Sequence, residues 1–162
     1  MKTTSAVACG LALLGAAAFV CGSGFAVPAA AHDAHHFSAG EPGNPKNPAR
    51  TIKLSMNEQG MRMLYTPSHI TVRKGEQIRF VVFNAGVSDH EFVLATVTEN
   101  RAHAREMKMH PHIAHHDPNV ITLGPSNQGE LLWKFSKRGA FEYACLIPGH
   151  LEAGMHGTVT VE

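Results

Sequence analysis

The chain has 162 residues, with 14 Lys and Arg against 13 Asp and Glu, and a formal net charge of +1 at pH 7. The absence of a basic surplus and of any long charge run argues against a nucleic-acid-binding protein. The length suits one domain with a hydrophobic core. Twelve histidines and seven methionines are unusually many for so short a chain.

The first 31 residues are predicted to be a secretory signal peptide. Met1 and Lys2 form a short basic start, residues 6–20 are mostly apolar, and residues 29–31 give an A-x-A cleavage pattern. The apolar stretch falls short of the roughly 20 residues that a membrane-spanning helix needs. We therefore expect an exported, periplasmic protein whose mature form has no membrane span.

Export leaves one cysteine in the mature chain. Cys9 and Cys21 lie in the predicted signal peptide, so that only Cys145 remains. A lone thiol in an oxidising compartment has no partner for an internal disulfide and is liable to oxidation. Metal ligation is the leading explanation for it, and the alternative is a small buried hydrophobic residue.

Residues 32–50 are predicted to be a flexible N-terminal segment, because they are rich in His, Pro, Gly and Asn and have no apolar period. The histidines at its start, His32, His35 and His36, are weak candidates for metal binding. The folded domain is expected to span residues 51–162.

Within that domain the apolar residues alternate with a period of two, which indicates short β-strands separated by glycine turns. A single stretch, residues 99–109, is predicted to be helical, with Pro111 stopping it. The pattern predicts an all-β antiparallel sandwich with one short helical insertion. The alternating positions are Ile70 and Val72; Ile78, Phe80 and Val82; Phe92 and Leu94; Phe141 and Tyr143; and Val159 and Val161.

Four residues carry a candidate metal site. Cys145, His150 and Met155 form a C-x4-H-x4-M pattern on one short stretch, which Gly149 and Gly154 allow to bend tightly. His90 follows a loop and shares a strand face with Phe92 and Leu94, as Cys145 does with Phe141 and Tyr143. Two His and one Cys with a weak axial Met are the ligand set of a type 1 copper site.

The alternatives for neighbouring residues are mostly structural. Met155 could simply pack in the core. His156 and His69 are expected at the surface, because each alternates with inward-facing residues. Glu91, next to His90, is expected to point outward and not to ligate metal.

These motifs resemble those of a cupredoxin, the family of plastocyanin, azurin and rusticyanin. The resemblance covers residues 51–162 and rests on residues 67–76 (PSHITVRKGE), the strand to Asn84, the His90-Glu91-Phe92 sequence and the Cys-His-Met loop. It implies a Greek-key β-sandwich with copper near one end. Many members have Asn or Ser where this chain has Glu91, so the hydrogen bonds around the site differ, and with them its reduction potential and colour. The signal peptide, His-rich start and Met/His-rich insertion are most similar to periplasmic copper-tolerance cupredoxins of the CopI type.

A second group of His and Met residues is a candidate accessory copper site. On a helix, His103, Met107 and His110 would share one face, and their side chains suit either oxidation state of copper. The alternative is a solvated insertion whose histidines bind nothing. The candidate residues are His103, Met107, Met109, His110, His112, His115 and His116.

Two functions of different classes follow. The first is a copper-binding protein that serves copper tolerance and homeostasis by binding copper or handling its oxidation state. The alternative is a soluble electron-transfer cupredoxin between redox enzymes, which needs the buried copper but not the accessory group. A copper enzyme acting alone is disfavoured, because His110-Pro111-His112 is the one His-x-His pair available for a trinuclear centre. Any oxidation of cuprous ions would need a redox partner as acceptor.

Overall fold

The computed structural model describes residues 37–110 and 117–162. Within these two segments the chain forms ten strands and one helix. The elements are β1 (Glu41–Pro42), β2 (Arg50–Gln59), β3 (Arg62–Thr66), β4 (His69–Val72), β5 (Gln77–Asn84), β6 (His90–Ala95), α1 (Val97–Met109), β7 (Val120–Leu123), β8 (Gln128–Lys134), β9 (Gly139–Ala144) and β10 (His156–Val161). No helix in this described part is both long and apolar enough to cross a membrane.

The strands form two five-stranded sheets, which confirms the predicted all-β sandwich. The first sheet has the order β1-β8-β5-β2-β3 and the second the order β4-β10-β9-β6-β7. Neighbours are antiparallel except for two parallel pairs, β2 with β5 and β4 with β10. Since β6 and β9 are neighbours in the second sheet, the start of β6 and the end of β9 lie at the same end of the sandwich.

The period-two pattern explains the core. Alternate residues of both sheets are buried in one continuous cluster, including the fully buried rings of Phe80, Phe92 and Trp133. The Phe92 and Tyr143 rings stack with centroids 5.4 Å apart and lie on the face of β6 and β9 that carries the candidate ligands. Burial of such aromatic side chains dominates the energetics of a core of this kind.

The helix covers the other face of the second sheet. Thr96 caps its first turn, and the Thr96 hydroxyl and Glu99 carboxylate satisfy each other's backbone N–H groups in a capping box. Met107 packs from α1 into a second apolar cluster with Val93, Leu146 and other residues. All six residues of β6 are therefore buried, on one face by the core and on the other by this cluster.

The prediction of a flexible segment is wrong for residues 37–50. Ala39 is fully buried, and its carbonyl accepts a hydrogen bond of 3.1 Å from the indole Nε1 of Trp133. The Phe37 ring packs edge-on against the same indole, and β1 pairs with β8. A buried indole N–H needs an acceptor, and this backbone supplies it. Residues 1–36, including His32, His35 and His36, lie outside the described residues.

Candidate metal centre

Two loops at one end of the second sheet position the candidate ligands. His90 is the first residue of β6 and follows the loop of residues 85–89. Cys145 directly follows β9, and Met155 directly precedes β10. His150 lies between them, in the turn that connects these two neighbouring strands.

The side chains of His90, Cys145 and His150 converge. The Nδ1 atoms of the two imidazoles are 3.2 Å apart, and the Cys145 Sγ lies 3.2 Å from Nδ1 of His150. One ligand atom from each of the three residues lies within 4.8 Å of the others. His90 and Cys145 are fully buried, whereas His150 is half-buried and is the ligand candidate that reaches the surface.

The loop between Cys145 and Met155 closes on itself through its backbone. The Cys145 N–H donates to the Met155 carbonyl, and the Met155 N–H donates to the His150 carbonyl, each at 3.0 Å. Gly149 and Gly154 adopt positive φ angles of 94° and 98°, which glycine reaches at little cost. Met155 is fully buried, and its side chain belongs to the same core cluster as Cys145.

Burial favours the neutral forms of Cys145 and His150 when no metal is bound. Removal from water raises the pKa of the Cys145 thiol to about 12, against the lowering effect of the backbone N–H groups of Glu91 and Ile147. Burial also lowers the pKa of His150, and the nearby His90 lowers it further, while Glu58 opposes both. A neutral thiol beside a neutral imidazole is the expected metal-free state at pH 7 to 8.

The residue after His90 holds the sulfur by its backbone. The Glu91 N–H donates to the Cys145 Sγ at 3.3 Å, and the Glu91 carbonyl accepts a hydrogen bond from the buried Tyr65 hydroxyl. Glu91 alternates with His90 along β6, so its side chain faces away from the core as expected, but it is buried and not exposed to solvent. The reason is that this face of β6 is also covered.

Glu58, at the end of β2, contacts His90 directly and was not predicted from the sequence. Its Oε1 lies 3.1 Å from Nε2 of His90 and accepts hydrogen bonds from the N–H groups of Val87 and Ser88. Burial alone would raise the pKa of Glu58, but these donors and His90 lower it below the ordinary value. No local sequence pattern identifies it, because it lies 32 residues before His90.

Asn84 ties the loop before His90 to the rest of the domain. Its Nδ2 donates to the carbonyls of Ser88 and Leu123 at 2.8 Å, and its Oδ1 accepts from the N–H of Gly86 at 2.9 Å. Asn84 is fully buried with both ends of its amide satisfied. An Asn at a strand end before Ala-Gly is a turn signal, but the sequence does not show which carbonyls it reaches.

The donor set fits copper. Two imidazole nitrogens that face each other at 3.2 Å repel unless a proton or a metal ion lies between them, and a soft thiol adjoins both. One thiolate and two imidazoles with a buried thioether are the donors that select copper in trigonal sites. Among the described residues, these three are the single group of His, Cys, Asp or Glu side chains close enough to hold a metal ion together.

The four accessory candidates within the described residues do not share one environment. Met107 is buried in the apolar cluster beneath α1, whereas Met109 and His110 are exposed. His103, together with Asp117, lines a cavity of about 260 Å³ beside the buried Asn100 and Asn119. Three further candidates, His112, His115 and His116, lie outside the described residues. His69 and His156 are exposed, as expected.

Comparison with known proteins identifies relatives over most of the chain. The family model described as copper binding proteins, plastocyanin/azurin family, matches residues 51–162. A copper-resistant cuproprotein CopI from Rubrivivax gelatinosus is 46% identical, over 81% of this chain and 77% of that protein. A protein of the same name from Pseudomonas aeruginosa is 32% identical, over 93% of this chain and 97% of that protein. Reduced auracyanin from the photosynthetic bacterium Roseiflexus castenholzii matches the fold with a TM-score of 0.57 at 22% identity, over 72% of this chain and 99% of that one.

Proposed function

The chain belongs to the plastocyanin/azurin family of copper-binding proteins, and we propose that it holds one type 1 copper ion with His90, Cys145 and His150, with Met155 as the axial ligand. The observation that carries this assignment is the approach of the thiol sulfur and one nitrogen of each imidazole to within 4.8 Å of one another. Met155 is buried and hydrogen-bonded through its backbone to both Cys145 and His150, which supports the axial role.

The protein holds the ligands of such a site in place and shields them from solvent. Backbone bonds close the loop from Cys145 to Met155, and the Glu91 N–H points at the sulfur, so that little reorganisation is needed when the ligands bind. Copper bound by a thiolate and two imidazoles supplies one-electron redox chemistry and an intense thiolate-to-copper charge-transfer band. His150, half-buried, is the point where a partner could approach the site.

We assign the protein to copper tolerance and homeostasis, through binding or redox handling of copper. The support is similarity to two relatives named copper-resistant cuproproteins, each matched over more than three quarters of its own length. The predicted signal peptide supports a periplasmic location for this activity. A redox partner is required if the protein turns cuprous into cupric ions, since the electron needs an acceptor outside the chain.

The direct test of the site is the Cys145→Ser variant. A hydroxyl cannot supply the thiolate transition, so the variant is expected to lose the visible band while the metal-free protein keeps its far-ultraviolet circular dichroism. His156→Ala, which changes an exposed histidine six residues beyond His150, is the matched control and should keep the wild-type spectrum. A copper-loaded Cys145→Ser protein with the wild-type visible spectrum would contradict the assignment.

Deletion of the gene separates copper tolerance from the electron-carrier alternative. Loss of growth in added copper with respiration intact supports tolerance, whereas a respiratory defect without copper sensitivity supports an electron carrier. If copper tolerance requires the type 1 site, complementation with the Cys145→Ser variant should fail to restore growth in added copper.

We also propose that the histidines after α1 form an accessory copper-acquisition site. Several imidazoles close together in the sequence can capture copper arriving from solution, whereas the buried centre exchanges slowly. Replacing the four histidines together should leave the visible spectrum intact and lower the total copper bound per chain. A variant with His69 and His156 replaced controls for the loss of surface histidines. Equal copper stoichiometry and equal copper tolerance in both variants would mean that the insertion is merely solvated. The residues replaced are His110, His112, His115 and His116.

A further inference from the structure

We propose that Glu58 is a positioning residue for the copper centre: its carboxylate holds the Nε2–H of His90 and so presents the opposite ring nitrogen to the metal. The inference rests on the proposed function, since it takes His90 as a ligand. Glu58 lies on β2 of the first sheet, whereas the candidate ligands lie on β6 and on the loop between β9 and β10, strands of the second sheet. It has not been singled out by the sequence pattern or by the family motif.

The hydrogen bond determines the tautomer of His90. Glu58 Oε1 lies 3.1 Å from Nε2, and an ionised carboxylate can only accept, so Nε2 carries the proton. The lone pair of the neutral ring is then on Nδ1, the atom that lies 3.2 Å from Nδ1 of His150. The ring of His90 is therefore set in the ligating tautomer before metal arrives.

Glu58 is itself held in place by the loop that carries His90. The same Oε1 accepts the N–H groups of Val87 and Ser88, at 3.2 and 3.0 Å. Gly86 packs against the pair so closely that a Cβ there would lie 2.8 Å from His90 Nε2 and 2.9 Å from Glu58 Oε1. Side-chain exposure is 19% for Glu58 and 0% for His90, so water competes little for this contact.

An anionic acceptor strengthens the imidazole as a donor to a cation. A carboxylate that holds the outer N–H of a metal-bound histidine typically accounts for about 10- to 100-fold in metal affinity. The effect is larger for the cupric ion, because its charge is higher and it interacts more strongly with the added electron density. A tenfold loss confined to the cupric form would raise the reduction potential by about 59 mV for a one-electron couple.

The test compares Glu58→Gln with Glu130→Gln in the full mature chain. Glutamine keeps the size of Glu58 and an oxygen for the Val87 and Ser88 N–H groups but removes the charge. Glu130 is an exposed carboxylate paired with Arg79, so its variant makes the same change in net charge without touching the centre. We expect cupric affinity, measured by competition with a chelator, to fall about 10- to 100-fold in Glu58→Gln only, with a higher reduction potential.

Two further measurements keep the outcome decisive. Nitrogen-15 NMR of the metal-free wild type should show His90 as the Nε2–H tautomer, and an Nδ1–H tautomer would overturn the proposal without any variant. Gly86→Ala, which keeps the carboxylate but forces it away from the ring, should shift affinity and potential in the same direction as Glu58→Gln. Wild-type affinity and potential in Glu58→Gln would equally refute the role of Glu58.

The His90→Ala variant separates this proposal from the ligand assignment. If His90→Ala binds copper with the wild-type spectrum and affinity, then His90 is not a ligand and the proposed centre itself fails. If His90→Ala loses the spectrum while Glu58→Gln matches Glu130→Gln, then the centre stands and only the role of Glu58 is wrong.

Discussion

Removal of copper should leave Cys145 as an unreactive, protonated thiol. Its side chain is fully buried, and burial raises its pKa from 9.0 to about 12. At pH 8 a thiol with a pKa of about 12 is ionised in about one molecule in ten thousand, against about one in ten for a pKa of 9.0. The shift corresponds to about 4 kcal/mol favouring the neutral thiol.

The expected slowing of alkylation follows from these fractions. The thiolate is the nucleophile, so the loss of thiolate alone slows reaction with iodoacetamide about a thousandfold at pH 8. A more basic thiolate is intrinsically more reactive, which recovers about 20-fold over three pKa units. The net effect is a slowing of about 50-fold, and the burial of the sulfur adds to it.

The assay follows alkylation of the metal-free protein by mass spectrometry between pH 7 and 10, with the urea-unfolded chain as the control. The rate in the folded protein should still rise tenfold per pH unit at pH 10, whereas the unfolded chain should level off near pH 9. Cupric binding at pH 8 should release about one proton, since the thiol must ionise to ligate. A plateau near pH 9 in the folded protein, or binding without proton release, would refute the reasoning.

The same shift has a consequence for stability with a definite sign. A folded-state pKa above the unfolded value stabilises the folded protein at low pH, and this contribution is lost as pH rises from about 9 to about 12. The metal-free wild type should therefore lose stability in this range more steeply than Cys145→Ser, which has no group to ionise at that position. Parallel curves for the two proteins would show that the thiol is not perturbed.

Two other variants probe the loops around the centre. Met155→Leu conserves volume in a fully buried position and should lower the free energy of unfolding by less than about 1.5 kcal/mol. The variant should keep copper and colour but have a higher reduction potential. An unchanged potential would make Met155 a packing residue. Asn84→Ala leaves the buried carbonyl of Leu123 and the partly buried carbonyl of Ser88 without their donor, and it should cost about 2–4 kcal/mol in urea unfolding. A loss below about 0.5 kcal/mol would show that water replaces the amide.

The sequence predicts those features whose signals are local. Period-two alternation places Phe92 and Tyr143 on inner faces, because the pattern follows from the geometry of a strand. Helix α1 is confirmed, and it begins two residues before the predicted start because Thr96 and Glu99 form a capping box. The C-x4-H-x4-M spacing is a local signal in the same sense, since its three residues lie on one short loop.

The features that the sequence misses depend on contacts between distant parts of the chain. Glu58 reaches His90 because β2 pairs with β5, which places Met56 beside Asn84 at the start of the His90 loop. The segment before β2 is ordered by Trp133, 94 residues away from its acceptor Ala39. The amino-acid composition of the segment is typical of a flexible chain, but composition cannot show that a distant buried indole packs against it.

Copper binding is linked to folding, because the candidate ligands and the residues that position them belong to different sheets. The candidate ligands lie on β6 and on the loop between β9 and β10 of the second sheet. The residues that hold the chain around them, Glu58, Tyr65 and Asn84, come from the first sheet. In the unfolded chain only Cys145, His150 and Met155 stay close together, because they lie on one loop. Copper therefore binds the folded protein more tightly than the unfolded chain. At a free copper concentration of 100 times the dissociation constant, this preference stabilises the folded state by about 2.7 kcal/mol. Copper binding and the packing of the two sheets therefore stabilise each other.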